Sequence, residues 1–112
     1  MKMVTAIVKH TRFDVVRRAL VEVGVEGMTT TEVRGFGRQR GYKEVYRGVQ
    51  YEVRFLPKVK IEVATSDEKL DTVVRAIEES ARTGEVGDGK IFITELGQCI
   101  RIRTGERGEE AL

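Results

Sequence analysis

An α+β sandwich is the fold class that this 112-residue sequence predicts, and three observations predict it. Residues 2–9 and 58–64 alternate at strand spacing, the segments around Val16–Val23 and Leu70–Ala81 carry apolar stripes at helical spacing, and glycine-rich stretches break the chain between them. The resulting order is strand, helix, strand, then strand, helix, strand. That repeated unit is the ferredoxin-like βαββαβ sandwich, in which two helices cover one face of an antiparallel sheet. A long loop separates its second and third strands, and a short extra strand follows at the C-terminal end.

Each element has a local reason. Val4, Ala6 and Val8 take one face of the first strand, and Met3, Thr5 and Ile7 the other. Thr11 with Asp14 resembles a capping box ahead of a helix whose inward residues are Val16, Ala19, Leu20 and Val23, and Gly24 ends it as a C′ glycine does. Met28 to Phe36 is a second strand, rich in β-branched residues. Pro57 marks the exit of the long loop, since proline lacks the donor that a central strand needs. From Lys58 onward, Val59, Ile61 and Val63 point inward, opposite Lys58, Lys60 and Glu62. Ser66, with Asp67 and Glu68, caps a second helix with the stripe Leu70, Val73, Val74, Ile77 and Ala81. Ile91 to Ile93 begin a further strand, and Ile100 to Ile102 form the short last one. The second face of the sheet is too mixed for bare water, which predicts an oligomer.

Composition narrows the function classes. A formal net charge of +2 does not by itself argue for nucleic acid, and 34% charged residues describe a soluble globular domain. Cys99 is the lone cysteine and His10 the lone histidine, so neither a disulfide framework nor a thiolate zinc cluster is expected. The apolar runs are only a few residues long, so the chain is expected to be cytoplasmic, without membrane insertion. No nucleophile and base pair is evident, which argues against an enzyme.

Three segments have the chemistry of an anion site: Gly35–Gln39, Gly87–Lys90 and Arg101-Ile102-Arg103. Glycines let backbone N–H groups approach a phosphate, and lysine or arginine offsets its charge. Strand spacing would aim both arginines of the third segment to one side. Gly84 to Lys90 reads as a near P-loop, but Ile91 replaces the hydroxyl residue that holds Mg²⁺, and the loop leads into a strand instead of a helix. Arg34-Gly35-Phe36-Gly37 matches half of an RNA-recognition signature, and an RNA-binding module of that topology is the alternative; the aromatic second half is replaced by Arg38-Gln39-Arg40-Gly41. The stretch from Gly35 to Phe55 lacks periodicity of its own and is either functional or disordered.

In order along the chain, Met28-Thr29, Thr31-Glu32-Val33, Gly35-Phe36-Gly37-Arg38-Gln39, Tyr46-Arg47-Gly48, Tyr51, Phe55 to Glu62, Thr83-Gly84, Gly87 to Phe92 and Arg101 to Glu106 closely resemble the PII nitrogen-regulatory proteins of the GlnB/GlnK type. The resemblance covers essentially the whole chain as a single domain, 1–112, with a T-loop at 37–55, a B-loop at 82–90 and a C-terminal loop region at 99–112.

The resemblance implies a homotrimeric signal transducer that binds ATP or ADP, with Mg²⁺, and 2-oxoglutarate, and reports carbon and nitrogen status to its partners. Nucleotide would be held by Thr29, Gly35, Gly37, Arg38, Gln39, Glu62, Ala64, Gly87, Asp88, Gly89, Lys90, Arg101 and Arg103. Gln39 would be the side-chain ligand to Mg²⁺ and would share 2-oxoglutarate with Lys58. Arg47 and Tyr51 would meet partners: an ammonium transporter, which would recruit the cytoplasmic protein to the membrane, and nitrogen-assimilation enzymes or regulators. Tyr51 is either the target of a nucleotidylyltransferase or an exposed tyrosine that is never modified. His10-Thr11, Gln50 and Arg54 depart from common family residues, and Val49 stands where some members carry a phosphorylated serine.

Overall fold

The structure, a computed structural model, describes residues 1–37, 42–46, 49–53 and 55–112, with 42–46 and 49–53 described as backbone. Six strands and two α-helices follow one another as β1 (Lys2–Lys9), α1 (Phe13–Glu22), β2 (Thr29–Gly35), β3 (Tyr42–Tyr46), β4 (Val49–Val53), β5 (Leu56–Thr65), α2 (Leu70–Ala81) and β6 (Gly89–Glu95). The main sheet has the order β2-β5-β1-β6 and is antiparallel throughout. This is the expected ferredoxin-like sandwich.

Strand alternation decides what is buried. Val4, Ala6 and Val8 of β1 and Val59, Ile61 and Val63 of β5 are buried with Val16 and Leu20 of α1 and Val73, Ile77 and Ala81 of α2. Both helices therefore lie on one face, and the opposite face presents Met3, Thr5 and Ile7 beside Ala64, Glu62 and Lys60. Phe92, across from Thr5 on that face, is half exposed. Proline is tolerated in β5 because Pro57 precedes the part of that strand which β1 pairs, beginning at Lys58↔Lys9.

Gly24 closes α1 as expected. Its φ is +94°, its N–H donates to Val21 O at 3.0 Å, and Val25 N–H donates to Leu20 O at 3.0 Å, the paired bonds of a Schellman motif. The helix start differs from expectation. A 3-10 turn at His10–Arg12 precedes α1, the N-cap is Arg12, and no side chain caps it. Arg12 instead reaches sideways, donating from Nε and Nη2 to Ser80 O at 3.2 and 2.6 Å. At α2, too, the N-cap differs from expectation: it is Lys69, with no side-chain cap, and Ser66 Oγ accepts from Lys69 N–H at 3.3 Å only in the turn that precedes the helix.

Two further corrections concern loops. The stretch expected to lack periodicity contains a two-stranded ribbon, β3 paired with β4 from Tyr42↔Val53 to Tyr46↔Val49. The C-terminal strand shrinks to a single bridge, Ile100↔Arg107. Between its ends Arg101 N–H donates to Glu106 O at 2.9 Å and Gly105 N–H to Arg101 O at 2.8 Å, with Gly105 at φ +82°. That closure is a turn, so the strand alternation expected to align Arg101 with Arg103 is absent, and Ile102 projects with 99% exposure. No helix among the described residues is long and apolar enough to cross a membrane.

Candidate functional site

The ends of β2 and β5, the start of β6 and the loop before it converge on a cleft of about 740 Å³. Gly35 and Gly37 contribute from the β2 end, Leu56 and Lys58 from β5, and Gly87, Asp88, Gly89 and Lys90 from the loop and β6. Two glycine-rich segments some fifty residues apart in sequence thus face each other, with Lys58 between them.

Lys58 is the hinge of this arrangement. It sits on β5, is only 8% exposed, and donates from Nζ to Gly87 O at 2.7 Å. A Cβ on Gly35 would lie 3.0 Å from Lys58 Cγ, so glycine at the end of β2 gives the lysine stem its channel. Burial is the main cause that lowers the Lys58 ammonium below its ordinary pKa, with the Lys9 charge adding to it and Asp88 opposing. A buried cation at the floor of a glycine-lined cleft is suited to an anionic ligand.

Asp88 ties the loop together. Its carboxylate accepts from Thr83 N–H and Gly84 N–H, each at 2.8 Å, and from the Thr83 hydroxyl, with Lys9 Nζ 3.4 Å away. The Thr83 bonds, first from the hydroxyl and then from the backbone, hold its carboxyl well below the usual carboxylate range. Gly84, Gly87 and Gly89 all have positive φ, which lets the chain turn back on itself within six residues and enter β6. Gly89 also lies against β1, where a Cβ would come within 1.7 Å of Ile7 O.

Of the residues expected to bind nucleotide, one chain brings together Gly35, Gly37, Gly87, Asp88, Gly89 and Lys90, joined by Lys58. Thr29 and Glu62 pair with each other across β2 and β5, and Ala64 lies two residues further along, away from the residues that line the cleft. Arg101 and Arg103 lie in the C-terminal turn, also outside that lining; Arg101 has Glu106 at 3.9 Å and Leu112 O at 3.4 Å. Arg38, Gln39 and Arg47 lie outside the described residues, and Tyr51 is placed at a position of β4 paired with Glu44.

Sequence reasoning missed several neighbours. Phe36 and Phe55 meet at a ring-centroid distance of 5.6 Å at the root of the β3–β4 ribbon, and Ile7, Val86 and Phe92 add apolar wall. Phe36, Phe55 and Phe92 stand within the sequence blocks that carry the family resemblance but were given no role there, and only the sheet register places Ile7 opposite Lys90. Lys9 was equally unmarked, and Thr83 was named only within the Thr83-Gly84 block of that resemblance.

The chain is thus a ferredoxin-like domain that carries a glycine-lined, lysine-floored cleft. The family model for nitrogen regulatory protein P-II matches residues 1–106. The chain is 55% identical over all 112 residues to nitrogen regulatory protein GlnK of Escherichia coli K12 and 54% identical to nitrogen regulatory protein P-II of Pasteurella multocida, covering 100% of each. Its structure is similar to that of Arabidopsis thaliana PII bound to citrate, with TM-score 0.81 and 40% identity over 99% of this chain and 91% of that one. The chain belongs to the P-II family of nitrogen regulatory signal transducers, and is a regulatory protein rather than an enzyme.

Proposed function

We propose that this protein senses ATP or ADP together with 2-oxoglutarate in the cytoplasm and passes the result to partner proteins through the β3–β4 ribbon. The single observation that carries the reading is Lys58: a buried cation linked to the Gly87 carbonyl, between two glycine-rich segments that expose backbone to one cleft. Polyphosphate oxygens suit the N–H groups and Lys90, and a dicarboxylate suits the Lys58 ammonium. The similar Arabidopsis protein is bound to citrate, itself a polycarboxylate, which supports an organic polyanion in this fold.

Thr29, Glu62, Ala64, Arg101 and Arg103 lie away from the cleft within one chain, so in this reading a neighbouring copy in a trimer supplies them to complete the nucleotide site. The open sheet face, with Phe92 half exposed, supports such an assembly. Among the described residues no group of three His, Cys, Asp or Glu could hold a metal ion. Mg²⁺ would therefore arrive on phosphate oxygens, with Gln39 as its side-chain ligand. An ammonium transporter or nitrogen-assimilation enzymes and regulators are the partner classes, met through Arg47 and Tyr51, with Tyr51 open to a nucleotidylyltransferase.

Calorimetry tests the core of this reading. Binding of 2-oxoglutarate is expected only with MgATP present, and equal binding to the ligand-free protein would sink the mechanism. Sedimentation is expected to show a trimer, and Arg101→Ala to weaken ATP while leaving the melting temperature nearly unchanged.

A further inference from the structure

Both acidic groups in the wall of the cleft, Glu85 and Asp88, are an obstacle to an anionic ligand, and one side chain answers both. Lys9, the last residue of β1, places Nζ 3.4 Å from Glu85 Oε2, 3.4 Å from Asp88 Oδ1 and 3.2 Å from Thr83 Oγ1. Its side chain is only 15% exposed, whereas Glu85 is 78% exposed, so the lysine is held in place and is not a solvated strand end. In register it stands directly opposite Lys58. The charged groups that face it are thus two carboxylates on the loop and one ammonium on the neighbouring strand.

We propose that Lys9 is a positioning and charge-compensating residue that sets how strongly this cleft discriminates among phosphate ligands by their charge. The inference rests on the cleft being the nucleotide site. Lys9 braces the loop through Thr83 and offsets one of the two negative charges, Asp88 and Glu85, where phosphates approach. Without it, two negative charges face the ligand in a partly desolvated site, and the penalty grows with each phosphate added. A residue that only held the loop in shape would weaken every nucleotide by a similar factor.

The test is calorimetric titration of the full chain with ATP, ADP and AMP at low salt, on the wild type, Lys9→Gln, Lys9→Arg and the double variant Lys9→Gln/Asp88→Asn. Lys9→Gln is expected to lower ATP affinity about tenfold and AMP affinity by no more than about twofold, in line with a lost charge near the phosphates. Lys9→Arg should keep the wild-type ATP-to-AMP ratio, and the double variant should recover it to within about twofold because the charge being compensated has gone too. Equal losses for all three nucleotides, or a double variant as impaired as Lys9→Gln, would overturn the inference. If Lys9→Gln does not fold, Asp88→Asn alone decides: the ratio should rise about threefold, and an unchanged or lower ratio refutes the idea. A wild type that binds none of the three removes the nucleotide reading itself, and this inference with it.

Discussion

Replacing Gly89 by alanine puts a methyl group where the centre of the sheet already has atoms. The added Cβ would stand 1.7 Å from Ile7 O, 2.8 Å from Ile7 C and 3.3 Å from Val8 Cα. All three belong to the backbone of β1, which is paired on one side with β5 and on the other with β6, so the obstacle cannot rotate away as a side chain would. Relief requires the strand start to move by well over an ångström or the Gly89–Val8 pairing to break. Overpacking of this kind costs about 3 kcal/mol. The left-handed φ of +106° adds about 1 kcal/mol for any residue with a Cβ. A loss of about 3–4 kcal/mol corresponds to a fall in melting temperature of at least about 12 °C for a domain of this size. Thermal melts followed by far-UV circular dichroism, at one fixed protein concentration, measure it. Gly84→Ala is the internal control: its φ is +88°, yet nothing lies within 4 Å, so it should lose only about 1 kcal/mol. If the two variants melt within about 3 °C of each other, the steric argument is wrong.

Other consequences are open to the same instruments. Arg12→Ala removes both bonds to Ser80 O that join the start of α1 to the end of α2, and should cost about 2 kcal/mol in urea unfolding; a loss below about 0.5 kcal/mol would mean those bonds are made at no net gain. Gly24→Ala forces a Cβ into the left-handed C′ position of the Schellman motif and should cost about 1 kcal/mol, read as a lower melting temperature with unchanged ligand affinity. Asp88 has a lowered folded pKa, so its contribution is fully present above the unfolded value near 4 and is lost as pH falls towards the folded one. Wild-type stability should therefore decline below about pH 4 more steeply than that of Asp88→Asn, and parallel acid profiles would show that the carboxylate is not the group responsible.

Much of this was written in the order of residues. Val4-x-Ala6-x-Val8 and Val59-x-Ile61-x-Val63 announce two central strands, because a one-residue shift would expose every one of those side chains. Gly24 stops α1 where a left-handed residue was needed. The β3–β4 ribbon was missed even though Val49, Tyr51 and Val53 alternate with Gln50 and Glu52, because β3 mixes Tyr42 and Val45 with Lys43 and Glu44 and offers no matching period. One alternating strand of five residues, without a partner of the same period beside it in sequence, does not stand out from a polar loop. The N-terminal start of α1 misled for another reason: Thr11 has the right chemistry for a cap, but a 3-10 turn occupies that position, and Arg12 is committed to Ser80.

The site divides in the same way. Gly35 and the run Gly87–Lys90 were legible as anion-type segments because glycine with a nearby basic residue suggests that chemistry wherever it falls, and both line the cleft, whereas Lys58 was named only through the family resemblance. Lys9 was not legible, because a lysine ending a strand looks like a solvated terminus until the loop from Thr83 to Asp88 folds over it. Arg101 and Arg103 were read as strand residues, yet Gly105 closes a turn around them that period-two spacing does not foresee.

The cleft and the ribbon share a root. β2 and β5 are paired up to Gly35↔Leu56, and the chain leaves that last rung towards Tyr42 and returns from Val53. Lys58 occupies β5 two residues beyond that rung, and because a Cβ on Gly35 would stand 3.0 Å from its Cγ, a side chain at the last rung of β2 and the lysine stem at the cleft floor compete for one space. What fills the floor of the cleft is thus fixed by the identity of the residue that ends β2.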